Sequence, residues 1–273
     1  MFRYENVMSK TTINDVVEYL DKTFHLEYQE DYDNAGFLLG EGAAEYRGSL
    51  VALDLTPAVI DEAMALGLNL IVTHHPFIFT GVKQLTDRTE TGRMVRALIL
   101  HGIAVYAAHT NLDNLPWGVN GILSEKLKLE NCKILRECTG GQNISIGAGM
   151  VGELPRSIEA DLFLQKVKSI TGQPTIRASK HDSKRKVKRV ALCGGSGNFL
   201  IDDAIAAKAD VFLTADLKYH DFQRGEGRII IADGGHYETE QFVKEIIYRA
   251  ILEKFRTFAC RISEKQEGLV QYI

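Results

Sequence analysis

The sequence predicts an α/β fold with two similar lobes, each a mainly parallel sheet flanked by helices, and three observations predict it. Short apolar runs alternate with helical stretches in the first half of the chain. The same alternation returns in the second half, and one helix–strand segment of each half aligns with the other without a gap. Such alternation is typical of parallel sheets with helices on both faces. The 273 residues suffice for two lobes with their own cores.

The first lobe is predicted to span residues 1–130. It opens with an amphipathic helix whose apolar face carries Ile13, Val16, Val17 and Leu20. The predicted strands that follow are SLVALDL, NLIVT and IAVYAA, and the predicted helices span 57–67 and 91–102. Thr56 and Pro57 are typical of a helix start, and a glycine is typical of each helix end.

The second lobe is predicted to span residues 131–273. Its predicted strands are VKRVALC, followed by a GGSG turn, then DVFLTAD and RIIIAD, and its helices span 202–208 and 236–255. The runs NISIGAGMVGEL and PTIRAS, with glycines from Gly140 to Gly152, predict a small antiparallel insertion. Residues 61–75 align with residues 202–216, which favours an internal duplication over generic similarity between two such units.

Composition excludes several classes of protein. Apolar residues make up 45% and charged residues 25%, and no apolar run approaches the roughly 20 residues that cross a bilayer. The start MFRYENVMSKTT, whether translation begins at Met1 or Met8, lacks the apolar core of a secretory signal, so we expect a cytoplasmic protein. The four cysteines show no CxxC spacing and are expected to be reduced. A net charge of −4 argues against a broad nucleic-acid surface, and the basic segment 177–189 is expected to be solvated.

Polar residues follow the ends of the predicted strands. In open α/β sheets, ligands bind beyond the carboxyl ends of the strands, so residues at those ends are the first candidates for chemistry. Those able to bind metal or move protons are His74, His75, His109, Asp113, Asp216 and His236. If the strands are parallel, these residues emerge at the same edge of a sheet.

Two pairs of residues have the spacing of metal ligands. Adjacent side chains at a strand end point in different directions, so His74 and His75 suit two different ions. The alternative, one buried hydrogen-bonded histidine and one exposed, is equally compatible with these residues alone. His236 and Glu240 are four residues apart on a predicted helix and share one face, which favours metal ligation over an incidental histidine at a helix cap. The helix N-terminus is expected to keep His236 neutral.

Carboxylates are needed if two ions share one site. A bridging carboxylate offsets charge and holds two ions roughly 3.5–4 Å apart, and Asp113 and Glu240 fit that role. Asp113 alone is also compatible with a simple turn carboxylate. We therefore expect His74, His75, Asp113, His236 and Glu240 to bind two divalent ions in the cleft between the lobes. Nitrogen and oxygen ligands without thiolate suit zinc, iron or manganese.

Several motifs in order resemble the Nif-three-like dinuclear metal family, often labelled GTP cyclohydrolase I type 2 homologues. They run from YDNAGFLLG through THHP, HTNLD, the GGSG turn and TADLKYHD to DGGHYETE, nearly the whole chain. The resemblance implies the same five ligands, two α/β lobes and a ring-shaped homohexamer. Tyr32 and Ala215 replace the family's usual Trp and Gly, and neither change removes a ligand. The chain is too short for the extra central domain of larger relatives.

Three functions are compatible with these residues. The first is a metal-dependent hydrolase with a nucleotide-like substrate, with His109, Asp216 and His220 as candidates for proton transfer or substrate contact. The label of the resembled family implies GTP, attacked at the purine C8 with release of formate. The second is a non-enzymatic metal-binding regulatory or scaffold ring. The third, less favoured, is a nucleic-acid-binding ring, whose affinity would fall steeply with salt.

Overall fold

The computed structural model describes residues 10–138, 144–266 and 268–273. The predictions for Met1, Met8, Gly140 and the first residue of NISIGAGMVGEL, Asn143, lie outside the described residues. The α-helices are α1 (Ile13–Thr23), α2 (Pro57–Leu66), α3 (Glu90–His101), α4 (Thr110–Asp113), α5 (Val119–Lys126), α6 (Ala160–Thr171), α7 (Ile201–Ala206), α8 (His236–Glu240) and α9 (Val243–Lys254). The strands are β1 (Gly36–Leu39), β2 (Gly48–Ala52), β3 (Leu70–Thr73), β4 (Ala104–Ala107), β5 (Glu130–Cys138), β6 (Ile146–Glu159), β7 (Arg177–Ala178), β8 (Lys186–Ser196), β9 (Val211–Ala215), β10 (Ile230–Asp233) and β11 (Ala259–Ile262).

Unit 1 comprises the described residues up to 26, residues 32–109 and residues 247–266. Its sheet has the strand order β1-β4-β3-β2-β11, and every neighbouring pair is parallel except β1 with β4. Every residue of β2, β3 and β4 is buried, as expected for strands covered on both faces. The predicted parallel strands of the first half are therefore confirmed.

The helices of unit 1 begin and end where capping chemistry places them. Thr56 caps α2 through its side chain, Pro57 occupies the first turn, and Gly67 closes the helix in the left-handed conformation with φ +68°. Gly102 closes α3 in the same way with φ +61°. In α1, Thr12 and Asp15 form a reciprocal capping box, and the predicted apolar face is buried.

Unit 2 comprises residues 27–31, 110–246 and the described residues from 268. Its sheet has the strand order β5-β6-β8-β9-β10-β7, in which β8, β9 and β10 are parallel and the outer pairs are antiparallel. The runs predicted as a small antiparallel insertion are β6 and β7, which pair antiparallel with β5, β8 and β10 and so belong to this sheet rather than to a separate insertion. The core of unit 2 includes Phe163, Val190, Leu213 and Ile230. Two helix-flanked sheets confirm the predicted α/β fold class.

Some elements differ from the prediction. The strand β11 pairs with β2 in unit 1, although residues 131–273 are predicted as one lobe. The predicted helix over 236–255 is two helices, α8 and α9. The strand β8 continues through the predicted turn as far as Ser196. Within the ranges given above, no helix is both long enough and apolar enough to span a bilayer.

Candidate metal centre

His74 and His75 follow β3 directly, and the backbone there is hydrogen-bonded to the segment after β2. The amide of His74 donates to the carbonyl oxygen of Leu53 at 3.1 Å, and the amide of His75 donates to the same oxygen at 2.9 Å. His74 is fully buried, whereas His75 is partly exposed. The bonded backbone holds both imidazoles at the carboxyl end of the sheet, where the strand pattern predicts them.

Three histidines in unit 1 are each held by a hydrogen bond between Nδ1 and an oxygen atom. The Nδ1 atom of His74 lies 2.7 Å from the carbonyl oxygen of Ala108, which accepts its hydrogen bond. The Nδ1 atoms of His75 and His109 each lie 2.7 Å from a carboxylate oxygen, of Asp54 and Asp33 respectively. Oxygen acceptors at Nδ1 fix the tautomer that leaves the Nε2 lone pair for a metal ion.

These histidines, His74, His75 and His109, form the first ligand set. Each offers a nitrogen atom within 4.8 Å of those of the other two. The ring centroids of His74 and His75 lie 4.9 Å apart, and those of His74 and His109 lie 5.3 Å apart. The structure thus places His109, predicted for proton transfer or substrate contact, beside the two predicted ligands, where its imidazole can also bind metal.

The orientation of His75 is reinforced by Gln266, which follows β11. The carboxylate of Asp54 accepts a second hydrogen bond from the amide group of Gln266, at 3.4 Å. The side-chain oxygen of Gln266 accepts from the backbone amide of Leu53. Gln266 is buried, so its hydrogen bonds fix the position of the Asp54 carboxylate. Asp54 in turn fixes the orientation of the His75 ring.

In unit 2, His236 and Glu240 lie one turn apart on α8; together with Asp113 they are the predicted ligands of this unit, here called the second ligand set. The Nε2 atom of His236 is 3.0 Å from a carboxylate oxygen of Glu240, as their spacing predicts. The Nδ1 atom of His236 is 2.7 Å from a carboxylate oxygen of Asp216. Asp216, predicted as a catalytic candidate, therefore positions His236 as Asp54 positions His75.

The predicted neutral state of His236 is wrong for the metal-free chain. Burial alone disfavours the imidazolium, but hydrogen bonds to Asp216 and Glu240 outweigh burial and raise the pKa of His236 to about 11. In turn, the bond to His236 lowers the pKa of Asp216. A metal ion at Nε2 must displace this proton, so binding of metal releases it.

Asp113 ends α4, and its surroundings in unit 2 connect it with β8. Asn120 donates to the backbone carbonyl of Asp113 at 3.2 Å and accepts from the amide of Gly194 at 2.9 Å. Burial raises the pKa of the Cys193 thiol, and the negative charges of Asp113 and Glu240 raise it further. Cys193 therefore stays protonated beside two carboxylates that repel a thiolate.

Glycines of β8 leave room for α8. Gly195 has φ +61°, and a Cβ atom there would collide with the carboxylate of Glu240. Its amide donates to the side chain of Thr239 at 3.0 Å. Only glycine suits this position without strain and without displacing Glu240. The GGSG segment thus leaves space for the helix that carries His236 and Glu240.

His220 stands apart from the other candidates. It precedes a short 3-10 turn, Asp221–Gly225, is exposed, and lies against the ring of Tyr219 at 5.2 Å. Among the described residues, no group with metal-binding geometry includes His220. The structure therefore gives His220 no contact with either ligand set.

Two positioning residues are missing from the sequence prediction, Asp33 and Asp54. For each of them, the sequence contains a pattern that could have identified the residue. Asp54 follows the apolar run of β2 by two residues, which places it at the same sheet edge as His74. Asp33 lies in the motif YDNAGFLLG, which carries a carboxylate just ahead of β1.

The donor chemistry of both ligand sets fits a divalent metal ion. The ligands are imidazole nitrogens and carboxylate oxygens, a combination typical of zinc, iron and manganese sites. Each of the four histidines has its second ring nitrogen held by an oxygen atom, as metal-ligating histidines usually do. These His and Glu residues are groups that can hold a metal ion.

Comparisons with known proteins show a family for this chain. A sequence model of the family described as Duf34/NIF3 (NGG1p interacting factor 3) matches residues 11–267. A Lactococcus lactis protein named GTP cyclohydrolase 1 type 2 homolog is 32% identical over 257 residues, which cover 89% of this chain and 95% of the relative.

Solved structures show the same fold. The crystal structure of Staphylococcus aureus hypothetical protein SA1388 is 29% identical, with a TM-score of 0.88 over 97% of this chain and 100% of its own. A Bacillus cereus protein related to NIF3 superposes with a TM-score of 0.90 at 22% identity, over 97% of this chain and 100% of its own.

Proposed function

Because the chain belongs to the Duf34/NIF3 family, we propose that it binds two divalent metal ions and acts as a metal-dependent hydrolase. The ligands are His74, His75, Asp113, His236 and Glu240. Asp113 and Glu240 supply the carboxylates that offset the charge of two ions. Zinc, iron and manganese all suit this donor set.

One observation carries the proposal. Four histidines from three parts of the chain all present Nδ1 to an oxygen atom at 2.7 Å. His181 also presents Nδ1 to an oxygen atom at 2.7 Å, but its Nε2 bonds to Asp161, and it belongs to no group with metal-binding geometry among the described residues. The four candidate histidines combine this Nδ1 arrangement with membership of such groups, and an oxygen acceptor at the second ring nitrogen is the usual environment of imidazole metal ligands.

A bound pair of ions would supply Lewis acidity and lower the pKa of a coordinated water. The chain's own residues supply position and proton transfer. Asp54 and Asp216 hold their histidine ligands in one orientation. His109, which is held by Asp33, can exchange a proton through Nε2 if it is not itself a ligand.

For the substrate we propose a purine nucleotide such as GTP. The support is that the Lactococcus lactis relative is named GTP cyclohydrolase 1 type 2 homolog. In the proposed reaction, water adds at the purine C8 and opens the imidazole ring to a formamide. A second water then cleaves the formamide and releases formate.

Elemental analysis of protein purified without added metal tests the ligands. We expect about two ions per chain in the wild type, and a loss of at least one ion in His75→Ala. His101→Ala is the matched control, because His101 is exposed at the end of α3. Less than one ion per chain in folded wild-type protein would contradict the proposed centre.

Formate release from GTP tests the activity. We expect Glu240→Gln to lower turnover at least about 100-fold, because the loss of a carboxylate ligand weakens charge stabilisation by several kcal/mol. Circular dichroism checks that the variant is folded. If metal-loaded wild type releases no formate from any purine nucleotide, the hydrolase proposal fails, and a non-enzymatic metal-binding protein becomes the better assignment.

A further inference from the structure

Unit 2 contains a cavity of about 490 Å³ beside α8. This volume lies in the range of small-molecule sites. His236 lines the cavity, together with Arg177, Gln173, Glu238, Tyr237 and Tyr272. A molecule bound there lies against one of the proposed metal ligands.

Two of the carboxylates that line the cavity already have partners. Asp233 accepts from the guanidinium of Arg177 and from the backbone amides of Leu217 and Gly235, at 3.1 Å for each amide. Asp216 accepts from His236. Neither carboxylate is left to recognise a ligand.

Two other acceptors belong to residues that are at most 9% exposed. Glu238 is 9% exposed, and its carboxylate makes no hydrogen bond or ion pair with any residue in the described ranges. Gln173 is 3% exposed, and its side-chain oxygen is buried without a hydrogen bond among the described residues. Its amide nitrogen donates to the hydroxyl of Tyr272 at 2.9 Å. The unsatisfied buried oxygen of Gln173 is costly, so it calls for a ligand that donates, and the adjacent Glu238 carboxylate can accept from the same ligand.

Gly235 lies beside the Glu238 carboxylate and the side-chain amide nitrogen of Gln173. Its φ is +81°, and a Cβ atom there would collide with both the Glu238 carboxylate and the Gln173 amide. Both side chains therefore converge on one point of the backbone, which only glycine leaves open. This convergence distinguishes the cavity from a loose cluster of acidic residues.

We infer that this cavity binds the Watson–Crick edge of guanine, a planar group with two adjacent N–H donors. A carboxylate pairs with two parallel N–H groups in a bidentate manner. The rings of Tyr237 and Tyr272, with Val270, add apolar surface that suits a flat heterocycle. The lone charge of Glu238 disfavours a phosphate at this point. The inference rests on the proposed function for the choice of guanine.

Calorimetric titration of the metal-loaded full chain with nucleosides tests the inference. We expect guanosine to bind at least about tenfold more tightly than inosine, which lacks the 2-amino group, and more tightly than adenosine. Agmatine tests a guanidinium without a base. Tighter binding of agmatine than of guanosine, or equal binding of the three nucleosides, would overturn the inference, as would no binding of guanosine at millimolar concentration.

Substitutions in the cavity test whether guanosine binds there. Glu238→Gln should lower the affinity for guanosine about tenfold or more, because the substitution removes a charged acceptor. Glu253→Gln, on the exposed side of α9, is the matched control and should not change binding. If Glu238→Gln does not fold, Gln173→Ala provides the second variant, with a smaller expected loss. Unchanged guanosine affinity in a folded cavity variant places the nucleoside elsewhere and overturns the inference.

Metal content and formate release, measured on the same preparations, separate the two proposals. Guanosine binding that depends on Glu238, in protein without metal or activity, supports the cavity and counts against the hydrolase. Metal-dependent formate release with guanosine affinity unaffected by Glu238→Gln supports the hydrolase and overturns the cavity assignment.

Discussion

Asp54 contributes to the candidate metal centre by orienting His75, and not by binding metal itself. Its carboxylate holds Nδ1 of His75 at 2.7 Å. We expect Asp54→Ala to lower metal affinity about 10- to 100-fold, because the ring loses its fixed tautomer and orientation. Competition with a chromophoric chelator measures the affinity. Asp61→Ala, an exposed carboxylate on α2, is the control, and equal affinities in the two variants would contradict a positioning role.

Single residues differ in how far the sequence reveals them. His74 and His75 end a strand, and His236 and Glu240 share a helix face, so local spacing is enough to find them. Asp54 pairs with a residue 21 positions away. Such pairs depend on which strands become neighbours, and strand order is not encoded in local periodicity.

Among the secondary-structure elements, β8 contributes to the candidate metal centre through Gly195, which leaves space for the Glu240 carboxylate. We expect Gly195→Ala to lose metal, because the added Cβ displaces the Glu240 carboxylate. Both the left-handed backbone and the collision destabilise the fold, the former by roughly 1–2 kcal/mol. Metal content and urea unfolding measure the two effects.

Gly102→Ala is the matched control for this change. Gly102 also has φ +61°, but a Cβ there meets no atom within 4 Å. Gly102→Ala should lower the free energy of unfolding only by the cost of the left-handed backbone, and the variant should keep its metal. Equal metal loss in both variants would show that the effect comes from lower stability.

The helix α1 carries a titratable contact with β4. Burial raises the pKa of Asp21, which outweighs the hydrogen bond donated by Tyr106 at 3.0 Å. Because the folded-state pKa is raised, folding favours the protonated carboxyl, and its contribution to stability falls as pH rises through the ordinary and then the raised pKa.

Asp21→Asn removes this dependence. We expect the stability of the variant relative to wild type to increase as pH rises from below to above the ordinary carboxyl range, measured by urea unfolding. A constant difference across this interval would contradict the raised pKa.

The elements that the sequence predicts correctly are those with strong periodicity or capping. The strands β2, β3 and β4 are continuous apolar runs, and α2 has Thr, Pro and Gly at its boundaries. In contrast, β11 alternates exposed and half-buried residues over four positions. A short edge strand of this kind carries too little apolar pattern to be recognised without its neighbour.

For the whole molecule, we propose the homohexamer implied by the family resemblance. The exposed apolar residues Ile99 and Leu100 on α3, at 63% and 77% exposure, suit an interface between copies. Light scattering should then give roughly six times the chain mass of 30.4 kDa. The mass of a single chain across a range of concentrations would contradict the ring.

The pairing of β11 with β2 has a consequence for biosynthesis. Residues 259–262 complete a sheet whose other strands end by residue 107, so all of 110–246 is translated in between. Until the last strand leaves the ribosome, one side of β2 has unpaired backbone groups, which are a template for association with other chains. Nascent or truncated chains that stop before residue 259 are therefore the species most exposed to aggregation and most dependent on chaperones.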